Sequence, residues 1–461
     1  MKLRTTSRAL AAWIDPEVAF LTLFAESEQS FWLDSGRDAS TGYSYLGDGT
    51  RTLTSSVDGG TVAHTIGADV ETTSGSIFEA LSDALREPSD PVSSGEFTPG
   101  WVGWLGYEAG AALSGTPRHS SRYPDAAFVQ PHRMLVFDHE RHTVTALVTA
   151  ASTMGDADFA WLDALDDVGP AQRPLDSRFP TAASARWRHD RTAYGDLIVR
   201  AQEHIRAGNA YQLCLTNEVL VDGSFDPVTV YRRLRHASPS HHGGLLRIGG
   251  VALISSSPEQ FLRITPAGTI TTRPIKGTRP RGHDIETDAT QRHDLLASEK
   301  ERAENLMIVD LMRNDLGRVA ALGSVRVSEL LAVESYAQVH QLVSTVTAQR
   351  ALGVTAVDVV AAAFPAGSMT GAPKISAMTI LDGLEDGPRG VYSGVFGYFG
   401  ADGAVDLAMV IRSILLDDNG ASLGTGGGIT ALSVVEEEIE ETRLKAAALL
   451  DALGASEQEV G

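Results

Sequence analysis

The sequence predicts an α+β protein. Residues 1 to about 165 are rich in short alternating segments, glycine and aromatics, the pattern of strands separated by turns. From about 187 onward helices and strands mix, but without the regular strand–helix alternation of a doubly wound sheet. The length, 461 residues with 43% apolar and 21% charged, allows a sizeable core in two or three domains or one large two-part domain.

In chain order, Ser30-Phe31-Trp32-Leu33-Asp34 and Gly100 to Tyr107 read as strands. A helix is expected over Ile77 to Arg86, a hairpin over 133–150 and a short helix near 156–165. Val168-Gly169-Pro170 through Arg186, with Pro170, Pro174 and Pro180, is the best linker. The expected organisation is an N-terminal subdomain over 1–165, a linker over 166–186 and a catalytic domain over 187–455. Within the last, Thr192 to Ala207 reads as a helix ending near Gly208-Asn209. Val251–Ser255, Thr269–Pro274, Val391–Phe399, Val405–Leu416 and Ala421–Gly424 read as strands, Asp294 to Leu316 as one long helix, and Val435 to Leu453 as a closing helix. No short-period repeat is present.

Asp and Glu outnumber Lys and Arg by 59 to 38, a formal charge of −21. That balance argues against nucleic acid and against a basic membrane-surface helix as partners. An acidic small molecule still fits, provided a metal ion or local cations and N–H groups offset the field. The single cysteine, Cys214, rules out an intrachain disulfide and fits a reducing, cytoplasmic setting. The N-terminal apolar stretch is too short for a secretory signal. The apolar run from Val354 to Pro365 is too short to span a membrane.

Five groupings are candidates for chemistry. Glu301 and Glu304 lie on one face of a predicted helix, either as a solvated face or as carboxylates held around a cation. Glu438 and Glu441 repeat that spacing in the closing helix, where Glu436 and Glu437 already suit the helix dipole. Two such pairs suit a hard divalent cation such as Mg²⁺. Gly424-Thr425-Gly426-Gly427-Gly428 is either a plain turn or a clasp of backbone N–H groups for a carboxylate. Lys276, with Arg273, Arg279 and Arg281 nearby, is either a solvated lysine or a nucleophile whose pKa is lowered by burial and neighbouring cations. Pro365 to Lys374, with Ser368, holds hydroxyls that either cap a helix or touch a ligand.

Taken together and in order, SSSPEQF, TRPIKGTRPRG, SEKERAENLMIVDLMRNDLGR, VHQLVSTV, FPAGSMTGAPKISAM, YSGVFGYF, IRSILL, GTGGGIT and EEEIEETRLKA resemble the chorismate-utilising enzymes. FWLDS, YSYLG and GWVGWLGYE match that family's N-terminal region less closely. The resemblance implies a large two-sheet β-sandwich flanked by helices, of the anthranilate synthase component I type. It implies that Glu301, Glu304, Glu438 and Glu441 surround Mg²⁺, which binds the ring carboxylate of chorismate. Gly426, Gly427 and Gly428 would donate N–H bonds to a carboxylate, and Tyr392 and Arg412 would hold the enolpyruvyl carboxylate. Thr278 and Ser368 would contact substrate, and Glu259 would act as general acid or base at the departing hydroxyl.

Within that family, Pro-Ile-Lys-Gly-Thr is the pattern of aminodeoxychorismate synthases, where anthranilate and isochorismate enzymes typically carry Ala for the lysine. Lys276 thus implies amination at C4 through a covalent lysine intermediate, on the way to 4-aminobenzoate and folate. Ammonia would come from a separate glutamine amidotransferase subunit. The alternatives are an anthranilate synthase large subunit or a catalytically silent chorismate-binding protein. Anthranilate synthases place His before Leu-Val-Ser; here Gln341 stands there, with His340 beside it as either a catalytic or a packed residue. FWLDS lies near where family members bind tryptophan, in a regulatory or a structural capacity.

Overall fold

Residues 3–88, 98–150, 154–168, 183–336 and 339–457 are described by the structure, a computed structural model. Among them, two large sheets of 13 and 12 strands are flanked by helices, a mixed α+β architecture. Strands from both ends of the chain meet inside each sheet. Ser30–Asp34 pairs antiparallel with His242–Ile248 in the first. Trp101–Leu105 pairs antiparallel with Val395–Phe399 in the second. Both sheets therefore run across the boundary expected near residue 165. The expected linker falls largely on residues 169–182, outside the described residues.

Alternation along the strands builds the layers. In Ser30–Asp34, Phe31 and Leu33 enter the core between the sheets with Trp104, Leu246, Leu253 and Phe396. Trp32 points to the opposite face, under the helices Pro16–Leu23 and Pro227–Ala237, against Phe20 and Tyr231. A side-chain period of two dictates this split, and burying each such aromatic or aliphatic group stabilises the fold by roughly 1.5–3 kcal/mol. Asp34, in the same strand, accepts from Arg235 Nε at 2.6 Å and Tyr231 Oη at 3.0 Å. The FWLDS segment is thus filled by its own packing and one buried ion pair.

Most expected elements are present. The helix from Ile77 to Leu85 carries a Ser76–Glu79 capping box, and the closing helix is Val435–Leu453. Other expectations change. The long helix expected from Asp294 is two helices, Ile285–Ala297 and Glu299–Gly317. The break is Ser298, whose extended backbone and side chain cap the second helix by accepting from Glu301 N. Ser298 and Glu301 have the Ser-x-x-Glu spacing of a helix start, a signal masked by the helical periodicity on either side of it.

The strand expected over Val405–Leu416 is also two, Val405–Met409 in the second sheet and Ser413–Asp417 in the first. The chain changes sheets at Arg412, which has φ of +50°. The glycine run is not a turn. It lies within the strand Gly420–Ile429, which pairs along its length with Gln212–Asp222. The strand expected from Val391 starts at Val395, because 391–394 form the turn that brings Tyr392 inward. Among the described residues, no helix is long and apolar enough to cross a membrane.

Candidate active site

Two sheet crossings run side by side and define the site. Glu259 lies where the chain leaves Val251–Ser257 of the first sheet for Gln260–Ile264 of the second. Arg412 marks the reverse crossing. The two segments are joined by Ser256 N to Arg412 O at 3.1 Å and Met409 N to Glu259 O at 3.0 Å. A crossing strand has backbone that neither sheet fully uses, so its side chains project into the space between sheet ends and helices.

Lys276 is presented by a bulge. In the strand Ile275–Pro280, Ile275 faces Val343 and Thr278 faces Gln341, so one extra residue is inserted between them. Bulges re-aim side chains. Gly277 permits this one, with φ of +91°, and a Cβ there would meet Glu301 Cδ at 3.0 Å and Leu295 Cδ1 at 2.8 Å. Thr278, two residues on from Lys276, is exposed and back in the ladder.

The lysine meets acids from three separate segments. Burial works against its charge, but Glu304, Glu259 and Glu441, with Cys214, outweigh that and hold its pKa above the usual lysine value. The neighbouring arginines do not depress it: Arg273 pairs with Glu334, Arg279 with Asp294, and Arg281 with Asp288. The expectation of a lysine activated by adjacent cations is therefore corrected. The surrounding acids favour the ammonium form of Lys276. Glu259 is buried, and burial pushes its carboxyl up to about 7, against the pull of Lys276 and hydrogen bonds from Ser368 and the Ile275 N–H.

The four helix glutamates come from Glu299–Gly317 and Val435–Leu453, and Glu301 and Glu438 act on Glu304. Glu304 and Glu438 are buried, while Glu441 stands at the open side. Burial pushes the Glu304 carboxyl up against Lys276 and Lys300, with Glu301 and Glu438 adding to the rise. Glu438 accepts from Lys300 Nζ at 3.1 Å and Ser433 Oγ at 2.7 Å, and Glu441 from Lys445 Nζ at 2.7 Å. Burial raises Glu441, but Lys445, Lys300 and Lys276 outweigh it and hold its carboxyl below the usual range. Among the described residues no group of three or more His, Cys, Asp or Glu side chains is placed to hold a metal ion; lysines supply the countercharge to these carboxylates. Carboxylate chemistry and burial fit a hard cation such as Mg²⁺.

The glycine strand abuts both acids. Glu438 Oε2 lies 2.9 Å from where a Gly427 Cβ would sit, and Glu304 Oε2 3.6 Å from that of Gly428. Pairing with Ser413–Asp417 stops at Ser422, which leaves one edge of the strand open beyond that point. Lys445 Nζ donates to Gly426 O at 2.8 Å, so Gly426 faces the open edge. Strand alternation then turns the N–H groups of Gly426 and Gly428 outward and that of Gly427 into the ladder. Tyr392 is seated on Gly424, where a Cβ would lie 2.0 Å from its ring. The Arg412 guanidinium has no hydrogen bond or ion pair among the described residues; burial pulls its pKa down, with Tyr392 and Glu441 opposing. Tyr392 and Gly424 also wall a cavity lined by Arg122, Arg188 and Glu218.

Residues 29–451 match the chorismate binding enzyme family. The chain belongs to that family. Its relatives include an aminodeoxychorismate synthase of Streptomyces griseus, 43% identical over 97% of this chain, and one of Streptomyces pristinaespiralis, 42% identical over 97%. The chain spans 64% of the length of each. Anthranilate synthase component 1 of Thermus thermophilus is 37% identical over 96% of both chains. Among solved structures, anthranilate synthase component I from Streptococcus pneumoniae superposes with a TM-score of 0.78 at 26% identity, covering 96% of this chain and 99% of that one. The family's two-sheet fold is therefore the fold of this chain.

His340 faces Arg279 in the ladder, three residues on from Lys276. It is 1% exposed, and its ring nitrogens meet Ser335 Oγ at 2.8 Å and Asp288 Oδ1 at 3.0 Å. Gln341 sits in the ladder opposite Thr278. His340→Ala is expected to keep most turnover while costing about 1–3 kcal/mol of stability through unpaired buried groups. Steady-state assays beside denaturant unfolding check both; near-total loss of turnover in the folded variant would restore a catalytic histidine. Sequence reasoning missed Ser433, Lys445 and Arg389. Only Arg389 left a trace, as a charge in the glycine- and proline-bounded Asp386-Gly387-Pro388-Arg389-Gly390.

Proposed function

We propose that this chain aminates chorismate at C4 with ammonia, giving 4-amino-4-deoxychorismate, as an aminodeoxychorismate synthase component I. The observation that carries the reading is Lys276, aimed by its bulge at the space shared with Glu259, Glu304 and Glu441. The two Streptomyces relatives point the same way. Glu301, Glu304, Glu438 and Glu441 are the residues to hold Mg²⁺, in a region of the chain, 187–455, that carries the chemistry. Bound there, Mg²⁺ supplies positive charge that orients the ring carboxylate and offsets the acids that otherwise keep Lys276 protonated. Arg412, a cation lacking a carboxylate partner, suits the enolpyruvyl carboxylate with Tyr392, and the outward N–H groups of Gly426 and Gly428 suit a second carboxylate.

The chemistry balances with these groups. Lys276 first releases its ammonium proton to solvent; the free amine adds at C2, the ring double bonds shift, and the C4–O bond breaks, the oxygen leaving as water with a proton from Glu259, which solvent later restores. Ammonia then adds at C4, the double bonds return and the C2–N bond breaks. The proton lost by the incoming nitrogen goes to the released lysine. No pyruvate is eliminated. Ammonia comes from a separate glutamine amidotransferase subunit, and the setting is cytoplasmic.

The test is product analysis after incubation with chorismate, Mg²⁺ and an ammonium salt. A product that a lyase converts to 4-aminobenzoate supports the reading. Fluorescent anthranilate would refute it and favour an anthranilate synthase, the reading that the end-to-end Thermus match supports. Binding of chorismate without any turnover would mean a silent family member.

Glu259 also predicts the pH dependence. Its folded pKa of about 7 lies above the ordinary carboxyl value, so the protonated acid predominates below 7 and is lost as pH rises through it. As the proton donor to the leaving hydroxyl, it should give a kcat/KM that falls above about pH 7 at fixed free ammonia. Ser368→Ala removes a hydrogen bond that favours the carboxylate and should move this limb upward. A limb unchanged in Ser368→Ala would separate the two residues.

A further inference from the structure

The buried Arg389 guanidinium uses all five of its N–H donors. Nε donates to Glu385 Oε2 at 2.7 Å, and Nη2 to Glu385 Oε1 at 2.6 Å and Cys214 O at 2.8 Å. Nη1 donates to Met369 O at 2.6 Å and Ser393 Oγ at 3.4 Å. The plane lies over the Tyr107 ring at 4.4 Å, and the Arg389 backbone N–H donates to Glu108 at 2.9 Å. Glu385 in turn accepts from Thr216 N at 2.9 Å.

Each bonded segment adjoins a site residue. Met369 follows Ser368, which bonds Glu259. Ser393 follows Tyr392. Cys214 and Thr216 face Gly428 and Gly426 across the ladder. These contacts come from stretches far apart in sequence, and no other described side chain bonds to all of them. A planar fork with five fixed donors suits this task; a lysine, with three donors on a flexible stem, does not.

We propose that Arg389, clamped by Glu385, is a positioning residue that sets the spacing of Ser368, Tyr392 and the glycine strand around the substrate. It touches no substrate itself. The inference rests on the substrate-holding roles given above to Ser368 and Tyr392. It predicts misplacement of the carboxylate-holding groups and weaker support of Glu259 when the fork is lost, with the chemistry groups all present.

The experiment compares wild type with Arg389→Lys and Glu385→Gln, scoring folded fraction by circular dichroism and thermal melting, then kcat, KM for chorismate and the pH profile at fixed free ammonia. The expected result for folded Arg389→Lys is a KM raised by on the order of tenfold or more, a smaller fall in kcat, and a pH limb displaced upward as in Ser368→Ala. Glu385→Gln, which keeps the arginine but loosens its clamp, should shift the same parameters less. If Arg389→Lys does not fold, Glu385→Gln carries the test alone. A purely structural role lowers melting temperature and active fraction but leaves KM and the limb at their wild-type values; that outcome overturns the proposal. An inactive wild type would instead overturn the functional reading.

Discussion

Lys276→Ala should lower the rate of chorismate amination by on the order of 10³-fold or more, the scale on which loss of a covalent nucleophile is felt. The fold should survive, because the Lys276 side chain makes no hydrogen bond or ion pair among the described residues and its charge faces Glu304, Glu259 and Glu441. Removing an ammonium from among three carboxylates has a second consequence. Glu259 loses a cation that draws its pKa down, so its carboxyl should titrate above the wild-type value of about 7. Product formation from ammonium, followed by coupling to a lyase, reads the first effect. Turnover undiminished in Lys276→Ala would remove the covalent step from the mechanism, whatever the product.

Glu438→Gln should raise the Mg²⁺ concentration needed for half-maximal turnover by on the order of 100-fold, at least the penalty typical of losing a group that merely supports a metal ligand. The carboxylate is buried against Gly427 and ordered by Lys300 and Ser433, so the amide keeps the shape and loses the charge. Titration calorimetry with Mg²⁺ in the presence of chorismate gives a readout independent of catalysis. An unchanged Mg²⁺ affinity would take Glu438 out of the metal site.

Much of the site is legible in the sequence because its parts are short motifs with fixed chemistry. Both glutamate pairs, the glycine run and the Lys276 segment stand out as strings of residues. Their states are not legible. The proton on Lys276 depends on Glu259, Glu304 and Glu441, from three segments remote in sequence, and no local pattern encodes that field. The reading from neighbouring arginines fails because each of those guanidiniums has a partner elsewhere.

The fold departs from expectation in places for a related reason. Val405 to Leu416 is apolar almost throughout because strands of both sheets are buried on both faces, so the crossing at Arg412 leaves little polar interruption beyond Arg412 itself. Ser298 likewise has the spacing of a helix cap to Glu301, but the helical periodicity on both sides of it hides the break. Arg389 is hidden because a lone charge in a turn gives no hint that two backbone carbonyls, a hydroxyl and a carboxylate converge on it.

The sharing of both sheets by both ends of the chain bears on how this protein can be cut. A fragment beginning near residue 187 would keep every proposed chemical group, yet would leave His242–Ile248 and Val395–Phe399 with bare edges where Ser30–Asp34 and Trp101–Leu105 now lie. Unpaired apolar edges recruit other chains. The chemical half is therefore not a transplantable module: severed from its N-terminal strands it should aggregate, and co-expression of the two pieces, rather than either alone, is the form in which a split version would recover solubility.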